Sequence, residues 1–80
     1  MHETHLIEPI IKGICQHAAA EGAKTVTRVH IKVGVLTGVK EESFKETFQL
    51  LAKGTILEKA TIDLAFFPGT IIQVLSFDVE

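Results

Sequence analysis

The chain has 80 residues and a mass of 8.8 kDa, with eight Lys and Arg against ten Asp and Glu for a net charge of -2. That near balance excludes the basic excess of a dedicated nucleic-acid binder, and a 46% apolar share excludes a disordered chain. A single cysteine, Cys15, excludes an internal disulfide and a zinc cage built from cysteine pairs. No apolar run approaches the roughly 18 residues of a membrane helix. The first residues lack the basic flank and apolar core of a secretory signal. One small cytoplasmic domain spanning residues 1–80 is expected, with neither nucleic acid nor membrane as a partner.

From Leu6 to Ala18 the apolar residues Leu6, Ile7, Ile10, Ile11, Ile14 and Ala18 fall at helical spacing. Thr4 is the expected N-cap and Gly22 the expected stop. Pro9 sits awkwardly, because proline is well tolerated only in a helix's first turn and turns the preceding residue away from helical dihedrals. The reading is a helix starting at Pro9, or a kink before it, with Met1–His5 partly free of the helix.

From Val26 to Leu36 the period changes to two. Val29, Ile31, Val33 and Val35 point one way, and Arg28, His30 and Lys32 the other, as in a strand with one solvated face. Residues 36–39 turn the chain. Glu41 to Lys53 reads as a second amphipathic helix through Phe44, Phe48 and Leu51, stopped by Gly54. Thr55 and Glu58 have capping-box spacing, so a further helical turn is expected there.

Ile62, Leu64 and Phe66 alternate in a second strand, which Pro68-Gly69-Thr70 ends. The last strand, Ile71 to Val79, breaks phase: Ile72 and Val74 share one parity, Phe77 and Val79 the other. Either a β-bulge near Leu75-Ser76 brings all four to the core, or the strand is two-faced and meets another chain. The order is helix, strand, helix, strand, strand.

Catalytic arrangements are poorly supported, and no enzyme is expected. Cys15 and His17 diverge on their helix, so they do not form a nucleophile and base. Cys15 reads as packing and His17 as a solvated residue. Asp63 and Asp78 should face water, and Gly34 and Gly38 lie outside any phosphate-binding pattern. The stripe of Arg28, His30 and Lys32 reads as a solubilising face, with no exposed aromatic residues to stack bases. The first five residues are richer, since Met1-His2-Glu3-Thr4-His5 holds two imidazoles, a carboxylate and the α-amine. Imidazole, amine and backbone amides supply a flat nitrogen set, which suits Ni(II) or Cu(II) better than Zn(II) or Mg(II). On spacing alone, two histidines near a terminus are an ordinary feature.

Met1-His2-Glu3, then 33–39 (Val-Gly-Val-Leu-Thr-Gly-Val), Glu42-Ser43-Phe44, Lys53-Gly54-Thr55 and the closing 75–80 together resemble the HypA family of nickel-insertion accessory proteins. The resemblance implies an α/β fold of the α+β type: two helices packed on one face of a three-stranded mixed sheet. It implies Ni(II) bound by the His2 imidazole and amide, the Met1 α-amine and the Glu3 amide, for insertion into [NiFe]-hydrogenase or urease. His5 has no counterpart in the family's opening motif and is our own accessory candidate. The implied partners are the GTPase HypB and the hydrogenase large-subunit precursor. The family's zinc domain, with two Cys-x-x-Cys pairs, is missing near 67–71, so no zinc is expected. The rival expectation is an interaction module that keeps the fold of a shortened chain without a working metal site. If the last two strands are antiparallel neighbours, the short link makes a tight hairpin and a monomer is feasible. If another strand lies between them, the link cannot easily reach, and the last strand is expected to pair with a second molecule as a strand-swapped homodimer.

Overall fold

The central strand of the sheet is β1, Val26–Gly34. The computed structural model describes residues 3–80. Along the chain come α1 (Glu3–Ala20), β1, a 3-10 turn (Val35–Thr37), α2 (Glu41–Ala52), β2 (Thr61–Phe67) and β3 (Ile72–Val79). The sheet order is β2-β1-β3, with β2 parallel and β3 antiparallel to β1. Two helices and a three-stranded mixed sheet make an α+β fold, as expected.

The period-two stretch forms the middle of the core. Val26, Val29, Ile31 and Val33 are buried, together with Ile7, Ile11, Ile14 and Ala18 of α1 and Phe44, Phe48 and Ala52 of α2. The Phe44 and Phe48 rings stack with centroids 6.3 Å apart. Val35 departs from the expected alternation because β1 ends at Gly34, and its side chain is exposed in the 3-10 turn. Helix α1 ends in a Schellman turn: Ala23 N–H donates to Ala18 O and Gly22 N–H to Ala19 O, with Gly22 at φ +74°. After α2 the expected helical turn is a run of tight turns instead. There Leu57 N–H donates to Thr55 Oγ1 and Gly54 N–H to Glu58 Oε1, so capping-type bonds form without a helix to cap.

Helix α1 does not wait for Pro9. It starts at Glu3 and carries the proline inside it, so Thr4 lies within the helix and Glu3–His5 are not free of it. Proline costs a helix interior one hydrogen bond and some crowding. The fully buried Ile7, one turn ahead of Ile11, anchors the stretch before the proline to the core, and burying one such side chain contributes about 1.5–3 kcal/mol. Pro9 itself is exposed.

In β3 the bulge falls where the phase break put it. Register runs His30↔Ser76 and then Ile31↔Val74, so Leu75 is the extra residue. It restores phase, and Ile72, Val74 and Phe77 all pack against the core. Val79 stays 41% exposed. A second irregularity, at Thr27, was not legible in the sequence.

The link between β2 and β3 corrects the expectation that it cannot easily reach across an intervening strand. β1 does lie between them, at a distance of two strand spacings, about 9.6 Å. Five Cα steps from Phe67 to Ile72 can reach roughly 16 Å, so the link closes within one chain and imposes no swapping. It runs over the end of β1, where Gly34 N–H donates to Ile71 O at 2.7 Å and Leu36 N–H to Gly69 O at 3.0 Å. A Cβ at Gly34 would meet the Gly69 carbonyl, so glycine is needed there for space; its φ of -71° is ordinary.

Candidate functional site

The expected metal site begins at the head of α1. Met1 and His2 lie outside the described residues, as does the side chain of Glu3. The Glu3 backbone opens the helix. Its amide is therefore among the first-turn N–H groups that have no carbonyl partner within the helix. His5 stands exposed in the same turn, two residues on and so turned away from Glu3. Among the described residues no three His, Cys, Asp or Glu side chains are grouped to hold a metal.

What stands around that end was not legible from the sequence. Leu6 and Ile10 of α1 line a groove with Thr37 of the 3-10 turn and Thr70, Ile71 and Ile72 of the link. The head of α1 and the 67–71 link are thus neighbours. Tertiary packing alone brings them together, since more than 60 residues separate them along the chain.

The open face of the sheet carries the second polar constellation. Arg28 Nη1 donates to Asp63 Oδ2 at 2.7 Å. His30 sits between two carboxylates, with Nδ1 3.4 Å from Asp63 Oδ2 on β2 and Nε2 3.4 Å from Asp78 Oδ2 on β3. Lys32 Nζ lies 4.8 Å above the Phe67 ring. The basic stripe therefore finds counterparts on both flanking strands. Asp63 and Asp78, expected simply to face water, converge on His30 because β2 and β3 flank β1 in this register.

The hydrogen bond from Arg28, followed by its charge, holds the Asp63 carboxyl below its ordinary value of 3.8. A carboxyl depressed in the folded state contributes stability above its unfolded value and loses it only as pH falls through the lower folded one. The pair is exposed, so the contribution is small. A carbon-detected NMR titration is expected to show an Asp63 midpoint below 3.8, and Arg28→Ala to bring it back up. A midpoint unmoved by Arg28→Ala would contradict the assigned cause.

Cys15 is half-buried against the core, as a packing residue should be. His17 is exposed and sets its ring edge-on to Phe77, with centroids 6.1 Å apart.

Two helices with a three-stranded mixed sheet define a small protein of the α+β class. The family model described as "Hydrogenase/urease nickel incorporation, metallochaperone, hypA" matches residues 1–72. The chain belongs to the HypA family. Among its relatives, the hydrogenase maturation factor HypA of Archaeoglobus fulgidus is 37% identical over 65 residues, covering 81% of this chain and 59% of that protein. The HypA of Rhodobacter capsulatus is 33% identical over 78 residues, covering 98% of this chain and 66% of that protein. The chain thus spans about three fifths of the length of the relatives it matches first. A solution structure of HypA protein superposes with a TM-score of 0.85 at 16% identity, covering 100% of this chain and 97% of that one. The solution structure of the Ni metallochaperone HypA from Helicobacter pylori gives 0.77 at 16% identity, covering 99% and 97%. These two likenesses establish the shared fold.

Proposed function

We propose that this chain carries Ni(II) as cargo for hydrogenase or urease maturation and holds it with its first three residues. The observation that carries this reading is the family match, which starts at residue 1 and so includes Met1-His2-Glu3. The donors are the Met1 α-amine, the His2 amide and imidazole, and the Glu3 amide. Two ionised amides offset the charge of the cation, which suits the positive end of a helix. The protein is a carrier with no reaction of its own. By its family resemblance it works in the cytoplasm and passes the ion to the GTPase HypB and the hydrogenase large-subunit precursor. The additional length of its relatives is placed at the 67–71 link, beside the head of α1.

Titration of the chain beginning at a free Met1 should show one Ni(II) per chain, low-spin and diamagnetic as a flat nitrogen set requires. Acetylating the α-amine should remove that binding and leave the fold intact. If the acetylated protein binds Ni(II) as tightly, the reading fails and an interaction module without a metal site takes its place.

Zinc has no place in this scheme. With one thiol and four histidines in the sequence, folding is expected to be independent of metal. A strong chelator should leave the thermal midpoint unchanged, and unfolding on chelation would contradict this.

A further inference from the structure

Pro9 is the seventh of the 18 residues of α1, and its side chain is exposed. It neither fills the core nor ends the helix, which runs on to Ala20. Its effect is on the hydrogen-bond ladder. In an α-helix four i→i−4 bonds join the residues ahead of any position to those from that position on. A proline deletes the first of the four, and its ring crowds the carbonyl that the bond would have reached. Residues 3–8 are therefore joined to the rest of α1 more weakly than a regular helix would join them.

Packing holds this segment at one point. Among residues 4–8 only Ile7 is buried, whereas Ile11, Ile14 and Ala18 tie the remainder of α1 to the core. Leu6 beside it is 43% exposed. One buried side chain and a weakened ladder are the conditions under which a segment opens locally, ahead of the fold as a whole. All four nitrogen donors of the proposed Ni(II) site belong to residues 1–3, on the far side of Pro9 from the core-bound part of the helix.

We propose that residues 3–8 form a hinged arm that opens at Pro9 while the sheet and the rest of α1 stay folded, and that the metal-holding residues travel with it. Pro9 is the hinge and Ile7 the latch. Neither touches the cation, so both are positioning residues. The cargo rests on the nickel reading above, whereas the hinge rests on α1 alone. Six residues span about 9 Å as helix and about 20 Å when extended. Opening thus about doubles the distance from the body at which the arm can hold its donors. A carrier must bring its ion within bonding distance of a recipient's ligands, and an arm that swings out does so without disturbing the core.

Hydrogen exchange of the full metal-free chain, followed by NMR and corrected for intrinsic rates, tests the hinge. The amides of residues 7, 8 and 10–12 lose their bonds when the arm opens. They should exchange at least about tenfold faster than those of residues 15–18. Dilute urea should speed the slow set and barely change the fast one, because local opening exposes little surface. A helix-interior proline is disfavoured about 100-fold relative to alanine, so Pro9→Ala should slow the fast set at least about tenfold. Ile7→Val should speed it by roughly 2–10-fold. One equivalent of Ni(II), diamagnetic in a flat nitrogen set, should leave the fast set within about threefold of its metal-free rates, since every donor rides on the arm. Equal rates across α1, no response to Pro9→Ala, or Ni(II) that slows the arm more than about tenfold overturns the proposal. A chain that binds no Ni(II) sinks the nickel reading and the cargo with it, while the metal-free rates still decide the hinge.

Discussion

A His2→Ala protein is expected to lose Ni(II) binding by at least about 100-fold, since residues that merely support a metal ligand already cost 10–100-fold when removed. His2 would supply two of the four nitrogens, its amide and its imidazole, and alanine keeps only the amide. His5→Ala and His30→Ala should bind nearly as the parent does. His5 is turned away from Glu3 around the helix, and His30 lies on the open sheet face between Asp63 and Asp78. Protons compete with the metal for imidazole, amine and amides alike. Affinity should therefore fall as pH drops through the ordinary imidazole range near 6.5. Titration of the three variants at two pH values checks both statements, and a His2→Ala protein that retains parental affinity sinks the site.

Gly34→Ala is expected to be the most damaging small substitution in the sheet. Its methyl would run into the Gly69 carbonyl, and the link cannot retreat without loosening two bonds, from Gly34 N–H to Ile71 O and from Leu36 N–H to Gly69 O. Overpacking of this kind costs typically 1–3 kcal/mol and weakened hydrogen bonds add to it, so about 3 kcal/mol is expected. For a domain of this size that is a fall in melting temperature of roughly 12–24 °C. Gly13→Ala should move the other way, because its Cβ meets nothing and alanine favours the helix. Thermal melts of the two variants should thus bracket the parent. If Gly34→Ala melts with the parent, the link does not press on β1 as described.

The parts of the fold that were legible share one property: their signal is local. The alternation Val29, Ile31, Val33 and the spacing Phe44, Phe48 write the core directly into the chain, and the phase break at Leu75 located the bulge. What failed depended on packing from a distance. Pro9 argued for a late helix start, and the burial of Ile7 overrode it. Strand order has no local signal, so neither the path of the link over β1 nor the need for glycine at position 34 could be read. The convergence of Asp63 and Asp78 on His30 likewise exists only once β2 and β3 flank β1. Met1-His2-Glu3 is legible as a resemblance, whereas the nearness of Leu6 and Ile10 to Thr70 and Ile71 comes from the packing of α1.

Because β1 is flanked by strands that follow it, the order of synthesis leaves it exposed. The 45 residues from its end at Gly34 to the end of β3 at Val79 take about 2–9 s to make at ordinary elongation rates. During those seconds Val29, Ile31 and Val33 form an apolar strand without its full set of ladder partners, the kind of segment that captures neighbouring nascent chains. Only α1 is already complete. Its stripe of Ile7, Ile11 and Ile14, which ends in the same core, is the cover available to that strand on a polysome. Substitutions that weaken the stripe should therefore reduce the yield of protein made in cells more than they lower the melting temperature of what is recovered.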